Sequence, residues 1–361
     1  MEIENLFGGI YKNKVCLVTG HTGFKGSWLS YWLTKMGANV IGYSLKPNTS
    51  PNHFELLNNI CTSIIGDIRD IEDLEKLFIR FNPEIVFHLA AQALVRYSYD
   101  NPIETYQTNV LGTMYVFEAA RKCSSVKAII NVTSDKCYDN KEWIWGYRES
   151  DPMGGHDPYS SSKGCSEILT ASYQKSYFDS DKTLLASARA GNVIGGGDWA
   201  DDRLIPDIIK AASKNENVFI RNPYATRPWQ HVLEPLSGYL TLGWRLLEGK
   251  KEYAEAWNFG PNIENNISVK EVVTESKKYW NKIDFTINAD PVNLHEANLL
   301  MLDCSKANKL LKWNPVLDLQ ETFRNTISWY KSFYVKGIIN TESDLNNFIK
   351  HAKNKELIWT K

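Results

Sequence analysis

Short apolar runs alternate with amphipathic stretches through the first half of the chain, and this rhythm limits the folds open to it. The apolar runs predict strands at 14–19, 39–44, 61–65, 84–89, 126–132 and 183–189. The amphipathic stretches predict helices at 24–36, 71–81, 102–122 and 158–178. Continuous apolar strands between such helices are typical of a parallel sheet that is covered on both faces. The pattern therefore predicts an α/β fold with a doubly wound parallel sheet.

The alternation ends after Asn192, where three glycines and an aspartate at 195–198 predict a loop. Shorter mixed elements follow, with helices predicted at 203–214, 231–248, 268–280 and 318–334. We expect residues 1–190 to form the first domain, and residues 191–361 to form mainly a smaller C-terminal α/β lobe that binds substrate. The two parts are interleaved, so the boundary is soft. Residues 335–361 are polar and rich in Asn and Lys, and their sequence predicts neither a particular structure nor a function.

The composition excludes several functions. Lys and Arg number 41 against 42 Asp and Glu, so the chain lacks the broad basic field of a nucleic-acid binder. No apolar run approaches the roughly 20 residues of a membrane span, and acids stand near the N-terminus, where a signal peptide is basic. The six cysteines form no C-x-x-C pair, which favours reduced thiols in a cytoplasmic protein over disulfides or a metal site. Aromatic residues make up 12%, which suits either a cleft for ring-shaped ligands or an aromatic core.

A glycine-rich turn, T-G-H-T-G-F-K-G at 19–26, lies between the first predicted strand and the first predicted helix. Glycines there allow a tight turn and a close approach of the backbone to a diphosphate, and the helix N-terminus supplies N–H groups. No Gly-Lys-Ser/Thr sequence closes the turn, which excludes a P-loop. The position of the turn predicts dinucleotide binding, with a purely structural turn as the alternative.

The turn resembles that of the extended short-chain dehydrogenase/reductase family, which reads T-G-x-x-G-x-x-G. Gly66-Asp67-Ile68 after the third strand, the stretch 88–92 (H-L-A-A-Q) after the fourth, and Asn109 on the next helix also agree with that family. The resemblance implies a Rossmann-type fold and an NAD cofactor. It assigns to the cofactor Gly20, Thr22, Gly23, Phe24, Gly26, Ser44, Asp67, Ile68, Leu89, Ala90, Ala91, Asn109, Tyr159 and Lys163.

The end of the second strand departs from the usual pattern of such folds. A carboxylate is expected there to bind the adenosine ribose, but the chain reads Tyr43-Ser44-Leu45-Lys46. Without the carboxylate, rejection of a 2′-phosphate is not assured, and Lys46 could attract one. The wider resemblance implies NAD, and NADP stays open as the alternative.

Tyr159 and Lys163 stand four residues apart at the start of a predicted helix, so they share one helix face. A tyrosine ordinarily keeps its proton up to about pH 10. A nearby ammonium stabilises the phenolate and lowers that pKa, which makes the pair a base suited to the proton of an alcohol. The glycine-rich turn upstream favours this catalytic interpretation over a solvated helix face.

Ser134-Asp135-Lys136 end the fifth predicted strand, at the edge of the sheet where ligands bind. The nucleotide-sugar 4,6-dehydratases, which the chain resembles here, read T-D-E at this place, with the Asp as acid for the leaving water and the Glu as base at C5. The resemblance gives Ser134 the orientation of the substrate alcohol and Asp135 the acid role. Lys136 replaces the Glu, as in the branch that acts on CDP-glucose. It is either the base or a cation that stabilises the enolate.

Residues of the C-terminal lobe complete the predicted substrate site. The stretch 189–195 resembles the family's R-x-x-N-V-x-G, whose Asn contacts the substrate diphosphate, and arginines suit phosphates because a guanidinium can donate two hydrogen bonds. The stretches 227–239 and 295–298 most resemble the CDP-glucose branch. The substrate residues that the resemblance implies are Gln92, Ser134, Asn192, Arg203, Leu204, Arg221, Arg227 and His231.

The resemblance implies a lyase that converts CDP-glucose to CDP-4-dehydro-6-deoxyglucose and water with NAD as cofactor, in deoxysugar synthesis for a lipopolysaccharide. The alternatives are a dehydratase for another nucleotide sugar, a UDP-sugar 4-epimerase and a non-catalytic NAD-binding protein. Asp135 beside Lys136 argues against an epimerase, which has no leaving water to protonate. Tyr159 with Lys163 argues against a non-catalytic protein, which needs neither. The long apolar-faced helices at 102–122 and 158–178 predict a homodimer or a dimer of dimers.

Overall fold

The structure, a computed structural model, describes residues 2–178, 182–220, 223–261, 266–287 and 299–361. The strands are Val15–Thr19 (β1), Asn39–Ser44 (β2), Thr62–Ile65 (β3), Ile85–His88 (β4), Ala128–Val132 (β5), Leu184–Ala190 (β6), Asn192–Ile194 (β7), Val218–Ile220 (β8), Thr226–His231 (β9), Ala256–Phe259 (β10), Asn266–Ser268 (β11) and Phe285–Ile287 (β12). The α-helices are Phe24–Lys35 (α1), His53–Leu56 (α2), Ile71–Phe81 (α3), Val95–Asp100 (α4), Pro102–Tyr106 (α5), Thr113–Lys122 (α6), Pro158–Ser176 (α7), Leu204–Lys214 (α8), Leu233–Leu247 (α9), Val269–Tyr279 (α10), Leu319–Lys336 (α11) and Thr341–Asn354 (α12).

Seven of these strands form one parallel sheet in the order β3-β2-β1-β4-β5-β6-β10. Side chains alternate between its faces along each strand. Cys16 and Val18 of β1 pack with residues of α1 and α9, whereas Leu17 packs with residues of α3 and α6. Helices therefore cover both faces, and the predicted Rossmann-type fold is confirmed.

Helix α7 carries two residues predicted to be catalytic, and its own sequence fixes where it begins. The Asp157 carboxylate accepts a hydrogen bond from the backbone N–H of Ser160 at 2.9 Å, and Pro158 occupies the first helical position. This cap sets the register of the helix. Tyr159 then stands at its second position and Lys163 about one turn later.

A smaller lobe is built mainly from residues that follow Asn192. Strands β11, β9 and β7 form a three-stranded sheet, and β12 pairs with β8. Trp199, Trp229, Phe323 and Trp329 are buried in the core of this lobe. The helices predicted in this half of the chain are observed as α8 to α11. Strand β10 returns to the main sheet beside β6, so the chain crosses between the two parts and the domain division near residue 190 stays a prediction.

The structure departs from the single helix predicted at 102–122. Helix α5 ends at Tyr106, residues Gln107–Gly112 form a π-helical turn, and α6 begins at Thr113. A Cβ atom at Gly112 would lie 2.7 Å from the side chain of Ile68, so this turn approaches the segment after β3 closely. Turns of this kind interrupt helices frequently at functional sites, and their wider backbone is not visible in hydrophobic spacing.

Residues 335–361, which predicted little, are part of the main core. Helix α12 buries Leu345, Phe348 and Ile349, and the ring of Trp359 stacks on that of Phe7 with centroids 5.2 Å apart. The apolar residues have helical spacing, but the polar residues around them dominate the composition. Within the described segments, no helix combines the length and apolarity that a membrane span requires.

Candidate functional site

The glycine-rich turn joins β1 to α1 with very little room. Gly20 has a φ of +76°, and a Cβ atom there would lie 2.8 Å from the backbone nitrogen of Ala90. A Cβ atom at Gly26 would lie 2.0 Å from the carbonyl oxygen of Gly20. Both positions need glycine, because a side chain would push the turn away from α1 or from the end of β4. The turn therefore keeps its backbone open at the start of a helix, which fits the diphosphate of a dinucleotide.

A cleft of about 860 Å³ extends from this turn past the ends of β4 and β5 and into the smaller lobe. Its volume lies in the upper range for small-molecule sites. The predicted cofactor residues that line it are Gly20, Thr22, Gly23, Phe24, Gly26, Ser44, Asp67, Ile68, Leu89, Ala90, Ala91, Tyr159 and Lys163. The predicted catalytic and substrate residues that line it are Gln92, Ser134, Asp135, Lys136, Asn192, Arg203, Leu204 and Arg227. The fold thus brings both predicted sets into one continuous cleft.

Hydroxyl groups stand where a ribose-binding carboxylate is usual. The hydroxyl of Thr22 donates to the carbonyl oxygen of Leu45 at 2.9 Å, and it lies 2.9 Å from the hydroxyl of Ser44. The nearest predicted carboxylate, Asp67, accepts from the guanidinium of Arg69 at 2.6 and 2.9 Å. Burial alone would raise the pKa of Asp67, but Arg69 outweighs it and holds that pKa below its usual range. A ribose at this end of the cleft would meet hydroxyl and carboxylate oxygens.

Tyr159 lies in the cleft with Ser134 and Lys163. Burial raises the pKa of Tyr159 to about 12, although a hydrogen bond with Ser134 opposes the rise. The ammonium of Lys163 donates to the carbonyl oxygen of Val132 at 3.5 Å, and burial lowers the pKa of Lys163 to about 8. The lowered tyrosine pKa that the sequence predicts is therefore not observed, because desolvation outweighs the favourable charges. Positive charge added to the cleft would stabilise the phenolate of Tyr159 and lower this pKa.

Asp135 and Lys136 lie in a short 3-10 turn at the end of β5. The hydroxyl of Ser134 donates to Asp135 Oδ1 at 2.9 Å and accepts from the backbone N–H of Lys136 at 3.2 Å. Asp135 is buried rather than part of an exposed surface turn. Burial raises the pKa of Asp135 above its usual value, although the charge of Lys136 opposes the rise. A carboxyl that keeps its proton more readily than usual is suited to donating it.

A buried ion pair lies behind these residues. Glu167 of α7 accepts hydrogen bonds from the hydroxyls of Thr133 and Ser187 and from Arg189 Nη2, the last at 2.8 Å. Arg189 Nη1 donates in turn to the hydroxyl of Tyr138 at 2.6 Å. Glu167 and Arg189 are both almost inaccessible to solvent. The pair ties β5 and β6 to α7, and so fixes the strand and the helix that carry the predicted catalytic residues.

Arg203 and Arg227 line the cleft from the side of the smaller lobe. Arg203 Nη1 contacts Asp198 Oδ2 at 2.9 Å, and the backbone N–H of Asp198 donates to the hydroxyl of Tyr330 at 2.8 Å. Asp198 thus holds one edge of the guanidinium, and the remaining N–H groups of Arg203 have no hydrogen bond within the described part of the chain. Arg221 and the stretch 295–298 lie outside the described residues.

The structure does not bring two of the predicted residues to the cleft. Asn109 is buried. Its side-chain oxygen accepts from the backbone N–H of Gln92 at 2.8 Å and its amide donates to the carbonyl oxygen of Gln92 at 3.0 Å, so it holds the backbone of a residue that lines the cleft. His231 is fully buried, its ring forms a T-shaped contact with that of Trp28, and burial lowers its pKa to about 3. Gln92 does line the cleft, but its amide donates to the hydroxyl of Thr105 at 2.9 Å, so its role toward substrate stays a prediction.

Lys25 and Asp198 are charged cleft residues that the sequence reasoning did not single out. Lys25 stands inside the glycine-rich motif, at a position that the family pattern leaves unspecified. Asp198 ends the glycine run that was predicted only as a loop. The available signal in both cases was a charged residue inside a glycine-rich segment.

Comparison with known proteins agrees with this site. The family described as GDP-mannose 4,6 dehydratase matches residues 17–326. A CDP-glucose 4,6-dehydratase of Salmonella typhimurium is 52% identical over 334 residues, which span 91% of this chain and 93% of the relative. A dTDP-D-glucose 4,6-dehydratase of Homo sapiens is 28% identical over 90% of this chain and 91% of the relative. The solved UDP-glucose 4-epimerase of Thermotoga maritima has a TM-score of 0.77 at 24% identity, over 88% of this chain and 99% of that one, which shows a shared fold.

The family match extends from β1 into α11. It includes the glycine-rich turn, the Ser134-Asp135-Lys136 stretch, and Tyr159 with Lys163. The resemblance to nucleotide-sugar 4,6-dehydratases of the extended short-chain dehydrogenase/reductase type is thereby confirmed. The chain belongs to the GDP-mannose 4,6-dehydratase family.

Proposed function

We propose that this protein is a lyase that uses NAD to convert CDP-glucose to CDP-4-dehydro-6-deoxyglucose and water. The observation that carries the proposal is the presence of Tyr159, Ser134, Asp135 and Lys136 in one cleft. Removal of water requires an acid and a second proton acceptor beside the base that serves the alcohol. The 52% identity to a relative described as a CDP-glucose 4,6-dehydratase supports the choice of nucleotide.

The residues around the glycine-rich turn fit NAD. Gly20 and Gly26 leave the backbone accessible to a diphosphate, and Lys163 stands where it can bind a ribose hydroxyl. The chemistry that NAD supplies when bound is hydride acceptance from C4 and hydride return to C6, next to a positively charged ring. Tyr159, whose pKa burial raises to about 12, gains its proton-accepting form beside such added positive charge.

Each catalytic side chain then has one task. Ser134 holds the 4-hydroxyl of the sugar while Tyr159 takes its proton. Once C4 is a ketone, the proton on C5 is acidic, and Lys136 either removes it or stabilises the enolate that forms. Asp135, whose pKa burial raises, supplies the proton to the 6-hydroxyl that leaves as water.

Mass spectrometry of separate incubations with CDP-, UDP-, GDP- and dTDP-glucose, each with NAD, tests the reaction and the choice of base together. We expect loss of one water from CDP-glucose alone. Water loss from a different nucleotide would keep the mechanism and reject the base assignment. An isomer of UDP-glucose at unchanged mass would instead indicate an epimerase, and no reaction at all would contradict the proposal.

Two variants of Lys136 separate its possible roles. Lys136→Ala should still reduce NAD at C4, but it should not release water. Lys136→Arg keeps a positive charge that cannot act as a base. Water loss that survives in Lys136→Arg would assign the enolate-stabilising role, and water loss abolished in both variants would assign the base. Equal loss of NAD reduction and of water release in Lys136→Ala would exclude both roles.

We further propose that the chain forms a homodimer through the outer faces of α5, α6 and α7. Ile103 and Ile168 on these helices are 73% and 61% exposed, and Leu111 in the π-helical turn is 41% exposed. Exposed apolar side chains on neighbouring helices are typical of an interface between copies. Equilibrium sedimentation should give a dimer for the unaltered chain and a monomer for Ile103→Glu with Ile168→Glu. A monomeric unaltered chain at micromolar concentration would reject this proposal.

We place the protein in the cytoplasm. Its six cysteines are all free thiols, and thiols remain reduced in that compartment. Cell fractionation that finds the protein with membranes or in an oxidising compartment would contradict this assignment.

A further inference from the structure

Lys25 is a cation inside the cleft with no assigned task. It is the second residue of α1 and lines the cleft together with Asp135, Lys163 and Arg203. It is partly buried, and its ammonium forms no hydrogen bond or ion pair with any residue that the structure describes. Removing a charge from water without a partner costs free energy, so a position of this kind is usually kept for a ligand.

The charges around Lys25 make its position less favourable still. Burial, together with the positive charges of Arg203 and Lys163, lowers the pKa of Lys25 to about 8, and the charge of Asp135 opposes this shift. Arg203 already has a counter-charge in Asp198. Lys25 and Lys163 have no carboxylate within ion-pair distance in the described segments, so this part of the cleft carries an excess of positive charge.

We propose that Lys25 is a further ligand-binding residue of this cleft, and that its ammonium pairs with a diphosphate. The proposal rests on the proposed function, in which two ligands that both contain a diphosphate share the cleft. The backbone N–H groups of the glycine-rich turn would donate hydrogen bonds to the diphosphate, and the ammonium of Lys25 would add a positive charge beside it. Because Lys25 belongs to the first turn of α1, directly after that backbone, the proposal assigns its ammonium to the diphosphate of the dinucleotide.

If Lys25 binds a ligand, its replacement should weaken ligand binding without lowering the unfolding temperature. Replacement of a purely structural lysine would lower the unfolding temperature. A lysine that packs or pairs within the free protein stabilises it, and its removal lowers the unfolding temperature. Lys25 makes no such pair, so Lys25→Met should unfold at the same temperature as the unaltered chain or at a higher one. The same substitution should weaken the binding of a diphosphate ligand.

Isothermal titration calorimetry of the full chain with NAD, and separately with CDP, tests the proposal. We expect Lys25→Met to bind NAD roughly 10- to 100-fold more weakly, the range for loss of one hydrogen bond to a charged group. Lys25→Arg should keep most of the affinity, because it keeps the charge. Lys12→Met is the matched control, since Lys12 is exposed and pairs with Glu4 at 2.6 Å away from the cleft, and its affinities should not change.

The outcomes distinguish the two sources of diphosphate. Weaker binding of NAD with unchanged binding of CDP assigns Lys25 to the dinucleotide, and the reverse assigns it to the sugar nucleotide. Unchanged affinity for both ligands in Lys25→Met would overturn the proposal, as would a lowered unfolding temperature that accounts for the lost binding. Failure of the proposed function would be visible separately, as an unaltered chain that binds NAD but releases no water from CDP-glucose.

Discussion

Replacing Glu167 by Gln should destabilise the protein strongly, although the two side chains have almost the same shape. Glu167 is 4% exposed and Arg189 is also 4% exposed, with their atoms 2.8 Å apart. The substitution leaves the guanidinium of Arg189 buried without its counter-charge. Breaking a buried ion pair by removal of one partner costs about 3–5 kcal/mol. We therefore expect the free energy of unfolding of Glu167→Gln to fall by about that amount.

The loss should depend on pH in a direction set by the glutamate. Burial alone would raise the pKa of Glu167, but the charge and hydrogen bonds of Arg189 and two hydroxyls outweigh it and leave the pKa below its usual range. A carboxyl with a lowered pKa in the folded state contributes stability above its unfolded pKa, and that stability disappears as the pH falls through the folded pKa. The difference in the free energy of unfolding between Glu167→Gln and the unaltered chain should therefore be largest at neutral pH and become smaller below about pH 4.

Urea unfolding followed by tryptophan fluorescence at several pH values measures this difference. Glu342→Gln is the matched control, because Glu342 pairs with Lys35 at 2.8 Å with most of its side chain in solvent, and exposed pairs contribute little. A Glu167→Gln variant as stable as the control would refute the reasoning. So would a difference from the unaltered chain that persists unchanged at acidic pH.

Three further outcomes follow from the geometry. Gly26→Ala should abolish measurable NAD binding in equilibrium dialysis, because its Cβ atom would lie 2.0 Å from the carbonyl oxygen of Gly20, and unchanged affinity would contradict this. Asp344 is buried with a pKa of about 8, and its Oδ2 has no partner among the described residues, so the folded chain holds a proton that the unfolded chain releases as the pH rises from about 4. The free energy of unfolding of Asp344→Asn in urea should therefore exceed that of the unaltered chain by more at pH 8 than at pH 4. An equal difference at both pH values would count against this reasoning. Trp359→Ala should lose about 3–5 kcal/mol of unfolding free energy, whereas a loss below 1 kcal/mol would mean that the C-terminal segment is not part of the core.

The order of strands and helices could be read from the sequence because each element has a clear local pattern. Strand β1 is a continuous apolar run that ends at the glycine-rich turn, and α3 is observed at 71–81, as predicted. The Tyr159 and Lys163 pair could be placed because residues four apart share a helix face. Local spacing and a distinctive motif are sufficient for such features.

Burial and charge in the cleft could not be read in the same way, since they depend on what the fold places around each residue. A neighbouring lysine predicts a lowered pKa for Tyr159, yet desolvation decides the result and raises it to about 12. Motif matching places His231 and Asn109 in a binding stretch, but only the packing shows that both side chains are buried away from the cleft. The polar composition of 335–361 hides Phe348 and Trp359, whose importance depends on their contact with Phe7 and Trp32.

Arg189 and Lys25 are two buried or partly buried cations whose surroundings differ, and the difference separates a structural role from a ligand-binding role. Arg189, behind the cleft, is buried with the carboxylate of Glu167 and the hydroxyl of Tyr138 as partners of its two terminal nitrogens, so its charge holds strands and helix together. Lys25, within the cleft, has no ion-pair partner within bonding distance in the described segments, so it costs stability until a ligand supplies one. A protein built only for stability would neutralise or remove that cation. The presence of this cation beside the glycine-rich turn therefore argues that anion binding, and not the fold, determines the residue at this position.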